Sequence, residues 1–271
     1  MGAALPPDLH VMSFNLRRAM DSPLLPRSER WSVRSSAVRD VLRIERPTVL
    51  GLQEALPRSL RVVMDALGPH HRAIGRGRGR EGTGEGTPLV YDAQRLRVES
   101  REQRALSDHP EVPGSRTWGN LIPRTLVRAE FSDSVTGARF VVINTHLDPF
   151  SARSRRRSAD AIAALIAGID LPVLVLGDFN VALRSRSLRA LLASGGTGDS
   201  WASAQRHLTP EWGSFVGSHP PRLRGRRIDG VLATGGVVVR AVGMNTRTPD
   251  GIRPSDHLPM QALVRITEEV R

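Results

Sequence analysis

The chain has 271 residues, 39 basic against 27 acidic for a formal charge of +12, and no cysteine, which excludes disulfides, thiolate chemistry and cysteine-ligated zinc or iron. Every basic residue is arginine; beyond a solvated arginine-rich surface, the excess favours an anionic partner such as nucleic acid, a phosphorylated metabolite or an anionic membrane. Aromatics are scarce (six Phe, four Trp, one Tyr), so a protein that binds single strands by stacking on bases is disfavoured.

In chain order, Val11 to Leu16 alternates loosely and reads as a strand. Ser28 is positioned to cap a helix from Glu29 to about Glu45, with Ala37, Val38, Val41 and Leu42 on one face, and Pro47 ends it. Residues 48–53 form a short buried strand that delivers Glu54, and a second helix runs from about Pro57 to Leu67. Gly75 to Gly86 is low in complexity and is expected to be a flexible surface loop. Residues 87–91 and 96–106 read as two strands of a hairpin, and 107–123 as a long loop. Residues 125–131 and 139–145 read as a second hairpin, turning near Gly137. A helix over 151–167 carries Ala159, Ile162, Ala163 and Ile166 on its apolar face. Val173 to Leu176 is a buried strand, followed by a helix over 187–193 and a mostly irregular stretch to 221. Three strands close the chain, over 227–233, 237–242 and 258–265. No apolar run approaches the ~18 residues of a membrane span, and residues 1–8 carry no basic start followed by an apolar stretch. The expectation is a monomeric, cytoplasmic, single-domain protein over 1–271 without a membrane segment.

Polar groups recur at the ends of these apolar runs: Asn15, Glu54, His146, the pair Asp178 and Asn180, Asp229, and Asp256 with His257. Each alone has a plain reading, such as a turn cap, an Asx turn or a solvated carboxylate. Together, carboxylates, amides and histidines at strand mouths suit metal-assisted attack of water on a phosphate ester.

The ordered set Ser13-Phe14-Asn15, Gln53-Glu54, Asn144-Thr145-His146-Leu147, Gly177-Asp178-Phe179-Asn180, Arg227-Ile228-Asp229 and Ser255-Asp256-His257-Leu258-Pro259 resembles the endonuclease/exonuclease/phosphatase family. Glu85 to Tyr91 and Ser107 to Thr125 look like a bacterial branch of that family. The resemblance implies the deoxyribonuclease-I-like α/β fold, a four-layered sandwich of two packed, mainly antiparallel sheets flanked by helices. It implies Glu54 as the main ligand of a catalytic Mg²⁺ or Mn²⁺, with Asn15 beside it and Asp256 in the metal or water network; hard oxygen ligands suit Mg²⁺. Asp178 would orient or deprotonate the attacking water, Asn180 hold a phosphate oxygen or the metal shell, and His257 meet the developing charge with Asp229 behind it. His146 would stand near the leaving oxygen, and Arg124 would hold phosphate bidentately. Asn144, Trp118 and Arg155 complete the implied substrate contacts. The pattern departs at Arg17, where an acidic partner to Asn15 is common, and at Gly119-Asn120 after Trp118.

Two basic clusters, Arg76/Arg78/Arg80 and Arg153/Arg155/Arg156/Arg157, could track a phosphate backbone, with a solvated face as the plain reading of each. The expected activity is divalent-metal-dependent hydrolysis of phosphodiesters, with DNA or RNA as substrate. The alternatives are a small phosphorylated metabolite or lipid headgroup, and a silent anion- or nucleic-acid-binding protein.

Overall fold

The computed structural model describes residues 1–193 and 196–267. The strands are β1 (Asp8–Asn15), β2 (Val49–Gln53), β3 (His71–Ile74), β4 (Leu89–Asp92), β5 (Leu96–Ala105), β6 (Thr125–Asp133), β7 (Arg139–His146), β8 (Val173–Asp178), β9 (Gly198–Asp199), β10 (Asp229–Ala233), β11 (Val237–Met244) and β12 (Met260–Ile266). The helices are α1 (Trp31–Glu45), α2 (Pro57–Leu67), α3 (Ala152–Ala167), α4 (Arg189–Ala193) and α5 (Ser200–Ser203). The strands form two six-stranded sheets, ordered β11-β12-β1-β2-β4-β3 and β5-β6-β7-β8-β10-β9. In each sheet the central pair is parallel, β1 with β2 and β7 with β8, and the other pairs are antiparallel. A parallel pair needs a crossover, and α1 and α3 supply the two.

The sheets stack face to face, and the central strands are buried on both sides. Leu9 and Val11 of β1, Phe140 and Val142 of β7, and Leu174 and Leu176 of β8 meet between the sheets. The alternate residues Met12 and Phe14 face α1 and α2, while Val141, Ile143, Val173 and Val175 face α3 and α4. Period-two alternation with both faces dry produces the unbroken apolar runs of the sequence.

Local chemistry sets the helix ends. Ser59 Oγ accepts from the Leu56 N–H at 2.9 Å and donates to its carbonyl at 2.9 Å, and Pro57 stands at the first helical position of α2. Ser151 caps α3 by accepting from the Ser154 N–H at 3.1 Å. Arg46 turns left-handed at φ 42° after α1, ahead of Pro47.

Three expectations are corrected. Ser28 does not cap α1: it lies within a 3-10 turn over Arg27–Glu29, and α1 starts after Arg30 without a side-chain cap. Residues 87–91 and 96–106 do not pair: β4 joins β2 and β3 in one sheet, and β5 joins β6 in the other. The stretch from 197 to 221 is mostly irregular as expected, with the short β9 and α5 at its start, and β3, an element not expected, precedes the Gly-rich segment. That segment is not a loose loop. Gly77 N–H donates to Gly82 O at 3.0 Å, Arg78 N–H to Glu85 O at 2.9 Å and Gly79 N–H to Thr83 O at 2.9 Å. Reciprocal bonds between Ala55 and Gly86, at 3.1 and 2.8 Å, fasten it beside Glu54. A Cβ at Gly77 would sit 2.3 Å from Thr83 O, so the glycine is there for close backbone packing rather than flexibility.

Candidate active site

The strand face between the sheets is apolar along most of its length and turns polar at one end. On β1, Leu9 and Val11 give way to Ser13 and Asn15; on β7, Phe140 and Val142 give way to Asn144 and His146. On β8 the same face ends in Asp178. Register then brings the polar ends together: His146 lies opposite Asp178 across the parallel pair, and Asp229 opposite Asp178 across the antiparallel one. β1 and β2 end side by side at Asn15 and Gln53, and the next residue, Glu54, adopts a left-handed φ of 56°. Both parallel pairs therefore point their C-terminal ends into one crevice, the usual place for a site in a parallel α/β arrangement.

One oxygen is the focus of the crevice. Asp178 Oδ2 accepts from Asn15 Nδ2 at 2.9 Å, and it lies 3.5 Å from His146 Nε2 and 3.8 Å from His257 Nε2. Its other oxygen, Oδ1, accepts from the Asn180 N–H at 2.8 Å. The Asn180 amide donates to Leu147 O at 2.9 Å, which ties the loop after β8 to the loop after β7. Behind His257, Nδ1 is 2.8 Å from Asp229 Oδ2, while Asp229 Oδ1 is buried with no partner. The Phe215 ring lies 5.0 Å from the His257 ring, centroid to centroid.

The electrostatics follow from burial and these partners. Burial and the neighbouring Asp229 push Asp178 up to about 7, against the pull of His257 and the hydrogen bonds from Asn180 and Asn15. Burial alone would lower His257, but Asp229 and Asp178 raise it to about 10, so it is an imidazolium at neutral pH. Burial, reinforced by Arg124, Arg78 and His257, holds His146 well below the usual histidine range, so it is neutral. Two histidines near one carboxylate thus have different charges.

The remaining expected residues divide. Glu54 accepts from Asn15 Nδ2 at 3.3 Å and from the Arg18 N–H at 2.5 Å, both neutral donors, with the Arg34 and Arg78 guanidiniums as nearby counter-charges. Asn15 presents its NH₂ to both carboxylates, and its oxygen accepts from the Arg17 N–H at 2.8 Å, so it bridges Glu54 and Asp178 rather than offering an oxygen ligand beside Glu54. The Asp256 carboxylate is engaged by Arg17 Nε at 3.5 Å. Arg124 is buried beside His146, its Nε 3.4 Å from Asp148 Oδ2. Asn144 does not reach a substrate: it is fully buried, donates to the carbonyls of Leu52, Thr87 and Pro88 at 2.8, 3.0 and 3.1 Å, and accepts from Gln53 at 2.8 Å. Trp118 packs in the core under α3 with its indole N–H on Asp108 at 2.8 Å, and Arg155 donates to Asp148 O at 2.7 Å; both brace the loop after β7.

Ser214 and Arg34 were not singled out from the sequence as structural supports, and Ser255 was named there only as part of its motif. Ser255 Oγ donates to Asn15 O at 2.7 Å, locking the segment before His257 onto the end of β1. Ser214 Oγ accepts from the N–H groups of Ile228 and Asp229 at 2.9 and 3.0 Å. Arg34 is buried within the apolar stripe of α1 and donates to the carbonyls of Leu16, Arg17, Arg18, Glu29 and Pro254. A guanidinium in a stripe otherwise made of Trp31, Ala37, Val38 and Val41 is a sequence signal for such a hub. Arg34→Met should cost about 3 kcal/mol or more, since buried carbonyls lose their donor together. Chemical denaturation checks this, and a loss within 1 kcal/mol would count against the hub.

The sequence from residue 12 to residue 257 matches the model of the Endonuclease/Exonuclease/phosphatase family. The chain belongs to this family. A family protein from Bacteroides thetaiotaomicron is similar at 26% identity and a TM-score of 0.86, covering 98% of this chain and 100% of its own. A mannosyl-6-phosphatase from the same organism shows 28% identity and a TM-score of 0.83, covering 94% and 99%. Danio rerio TDP2 complexed with a single-strand DNA product shares the fold, with 16% identity, a TM-score of 0.70, and 96% and 99% covered. A comparison with curated proteins gave no match. The family's members are hydrolases of phosphate esters, and its deoxyribonuclease-I-like architecture is the one seen here, two mixed sheets flanked by helices. Among the described residues no helix is long and apolar enough to cross a membrane.

Proposed function

We propose that the protein is a divalent-metal-dependent hydrolase that directs water at a phosphate ester, with Asp178 as the base. The observation that carries this is the convergence of Asn15, His146 and His257 on Asp178 Oδ2, beside the Glu54 carboxylate, whose hydrogen bonds come from neutral donors. Asn180 occupies Oδ1 and so leaves Oδ2 to take a proton from water. A base with a pKa of about 7 is matched to neutral pH. His257, charged and braced by Asp229, donates to a non-bridging phosphate oxygen as negative charge develops. His146, neutral, offers an N–H toward the leaving oxygen.

The donor set fits a hard cation. Glu54 supplies an anionic oxygen without an arginine or histidine upon it, and hard oxygen donors with retained waters suit Mg²⁺ or Mn²⁺. Asp178, Asp229 and His257 also lie close enough together for one ion. Without an ion, His257 is held charged by these two carboxylates, and a cation bound there would require its neutral form. When bound at Glu54, the ion supplies a Lewis acid to the phosphate oxygen.

For the substrate, the +12 charge supports a nucleic-acid phosphodiester. The similarity to a mannosyl-6-phosphatase favours a compact phosphorylated molecule instead.

The test is hydrolysis of DNA, RNA, sugar phosphates and generic mono- and diesters with Mg²⁺, Mn²⁺ or EDTA. Mn²⁺ should also raise the Tm of the wild type, because a ligand at one hundred times its Kd stabilises by about 2.7 kcal/mol. Glu54→Gln should remove both the thermal response and most turnover. Turnover that persists in EDTA, or a Mn²⁺ response intact in Glu54→Gln, would overturn the assignment.

A further inference from the structure

The Gly-rich segment after β3, whose arginines the sequence offers either to a phosphate backbone or to a solvated face, places one of them, Arg78, in the pocket beside Glu54. Arg78, Arg124, Glu85 and His146 line one small pocket with Glu54, and Gly86, Thr87, Pro123 and Thr125 complete its lining. Arg124 is only 4% exposed, yet its Nη1 is buried without a partner and its Nε reaches Asp148 at no closer than 3.4 Å. Arg78 comes from the other side, held by an ion pair with Glu85, which Arg18 Nε also approaches at 3.5 Å. The two guanidiniums are near enough to repel each other and to keep His146 uncharged. Two cationic forks around a neutral imidazole, one with a buried unfilled donor, form an incomplete hydrogen-bond set that an anion with several acceptor oxygens would complete.

We infer that Arg78 and Arg124 form a clamp for a dianionic terminal phosphate, making Arg78 a specificity-determining residue for phosphomonoesters. This rests on the phosphoesterase reading above. A monoester brings two charges and three free oxygens to the site, whereas a diester brings one charge and a second ester chain. The segments 85–87 and 123–125, joined by the Thr87 and Thr125 hydroxyls at 3.4 Å, stand beside the clamp where that second chain would have to pass. Glu85 holds Arg78 in place of the phosphate and must give way to it, because the pocket with this ion pair closed measures about 10 Å³, room for about one water. The tight backbone bonds of 77–86 keep this arm in position with few side chains of its own.

The experiment compares wild type, Arg78→Gln and Glu85→Gln with Mn²⁺ on p-nitrophenyl phosphate and on bis(p-nitrophenyl) phosphate. Arg78→Gln should lower kcat/KM for the monoester by roughly tenfold to a hundredfold, the worth of charge-assisted hydrogen bonds, and for the diester by less than about threefold. Glu85→Gln, which removes the competing carboxylate, should leave monoester turnover equal or higher. If the pair merely braces the loop, both variants lose activity on both esters, and that result overturns the clamp. Should the wild type cleave neither ester, the hydrolase reading fails separately. The clamp is then judged by titrating inorganic phosphate into the Mn²⁺-loaded protein by calorimetry. Weaker uptake by Arg78→Gln than by wild type supports it, and the absence of any difference sinks it.

Discussion

Asp178→Asn is expected to lower kcat by roughly 10³-fold while leaving the protein folded, within the range for removing a positioned base. The substitution keeps the shape and an acceptor for the Asn180 N–H, so circular dichroism should be unchanged. It should also stabilise the metal-free protein, and the pH dependence gives the sign. The folded-state pKa of about 7 lies above the ordinary aspartate value of 3.8, so the native state binds more protons than the unfolded state between these values. Stability contributed by this group therefore falls as pH rises through that window. Above it, the wild type carries the full cost of a buried carboxylate facing Asp229, which asparagine does not. In EDTA the gain in Tm should be near zero at pH 4 and largest at pH 8. A mutant that turns over normally would remove Asp178 from the mechanism, and a gain largest at low pH would contradict its raised pKa.

His257→Gln should damage stability as well as activity. The imidazolium is the hydrogen-bonded counter-charge of Asp229, a carboxylate about 1% exposed whose second oxygen already lacks a partner. Breaking one side of a buried pair costs about 3–5 kcal/mol because the other charge is left alone. The Phe215 ring also loses its neighbour. Adding Asp229→Asn should recover most of the stability, since no charge is then stranded, but no activity. Urea denaturation of the two single variants and the double variant measures this coupling. Additive losses would mean that the pair is not a unit.

Much of the site could be read from the sequence because β1, β7 and β8 end in polar residues after apolar runs. What the sequence did not reveal is which residues on those strands face one another. Asp178 and Asp229 are far apart along the chain, and only the β8–β10 register makes them neighbours. The false hairpin has the same origin. Only residues 93–95 separate β4 from β5, and Asp92 Oδ1 accepts from the Gln94 N–H at 3.0 Å in a tight local turn. Local turn chemistry is the same whether the chain folds back on itself or crosses to another sheet; long-range pairing decides. The sequence offered Arg78 as one of three arginines that could track a phosphate backbone, but composition hid its fixed placement: glycine repeats look flexible until backbone-to-backbone bonds supply the order that side chains do not. Trp118 and Arg155 lie in segments near the site, but burial and partners commit them to bracing it.

Asn144 has a consequence of its own. The groups of the proposed site are split between two slabs, with Asn15 and Glu54 on one and His146, Asp178 and Asp229 on the other. Greasy faces in contact have no preferred offset over a fraction of an ångström, because apolar attraction has no direction. Hydrogen bonds do have direction. The Asn144 amide crosses the seam to three carbonyls of the opposite slab, in a recess left by Gly51, whose Cβ would lie 2.7 Å from Asn144 Oδ1. It works as a dowel between two plates: it meets no substrate, yet it sets the alignment on which every distance in the crevice depends.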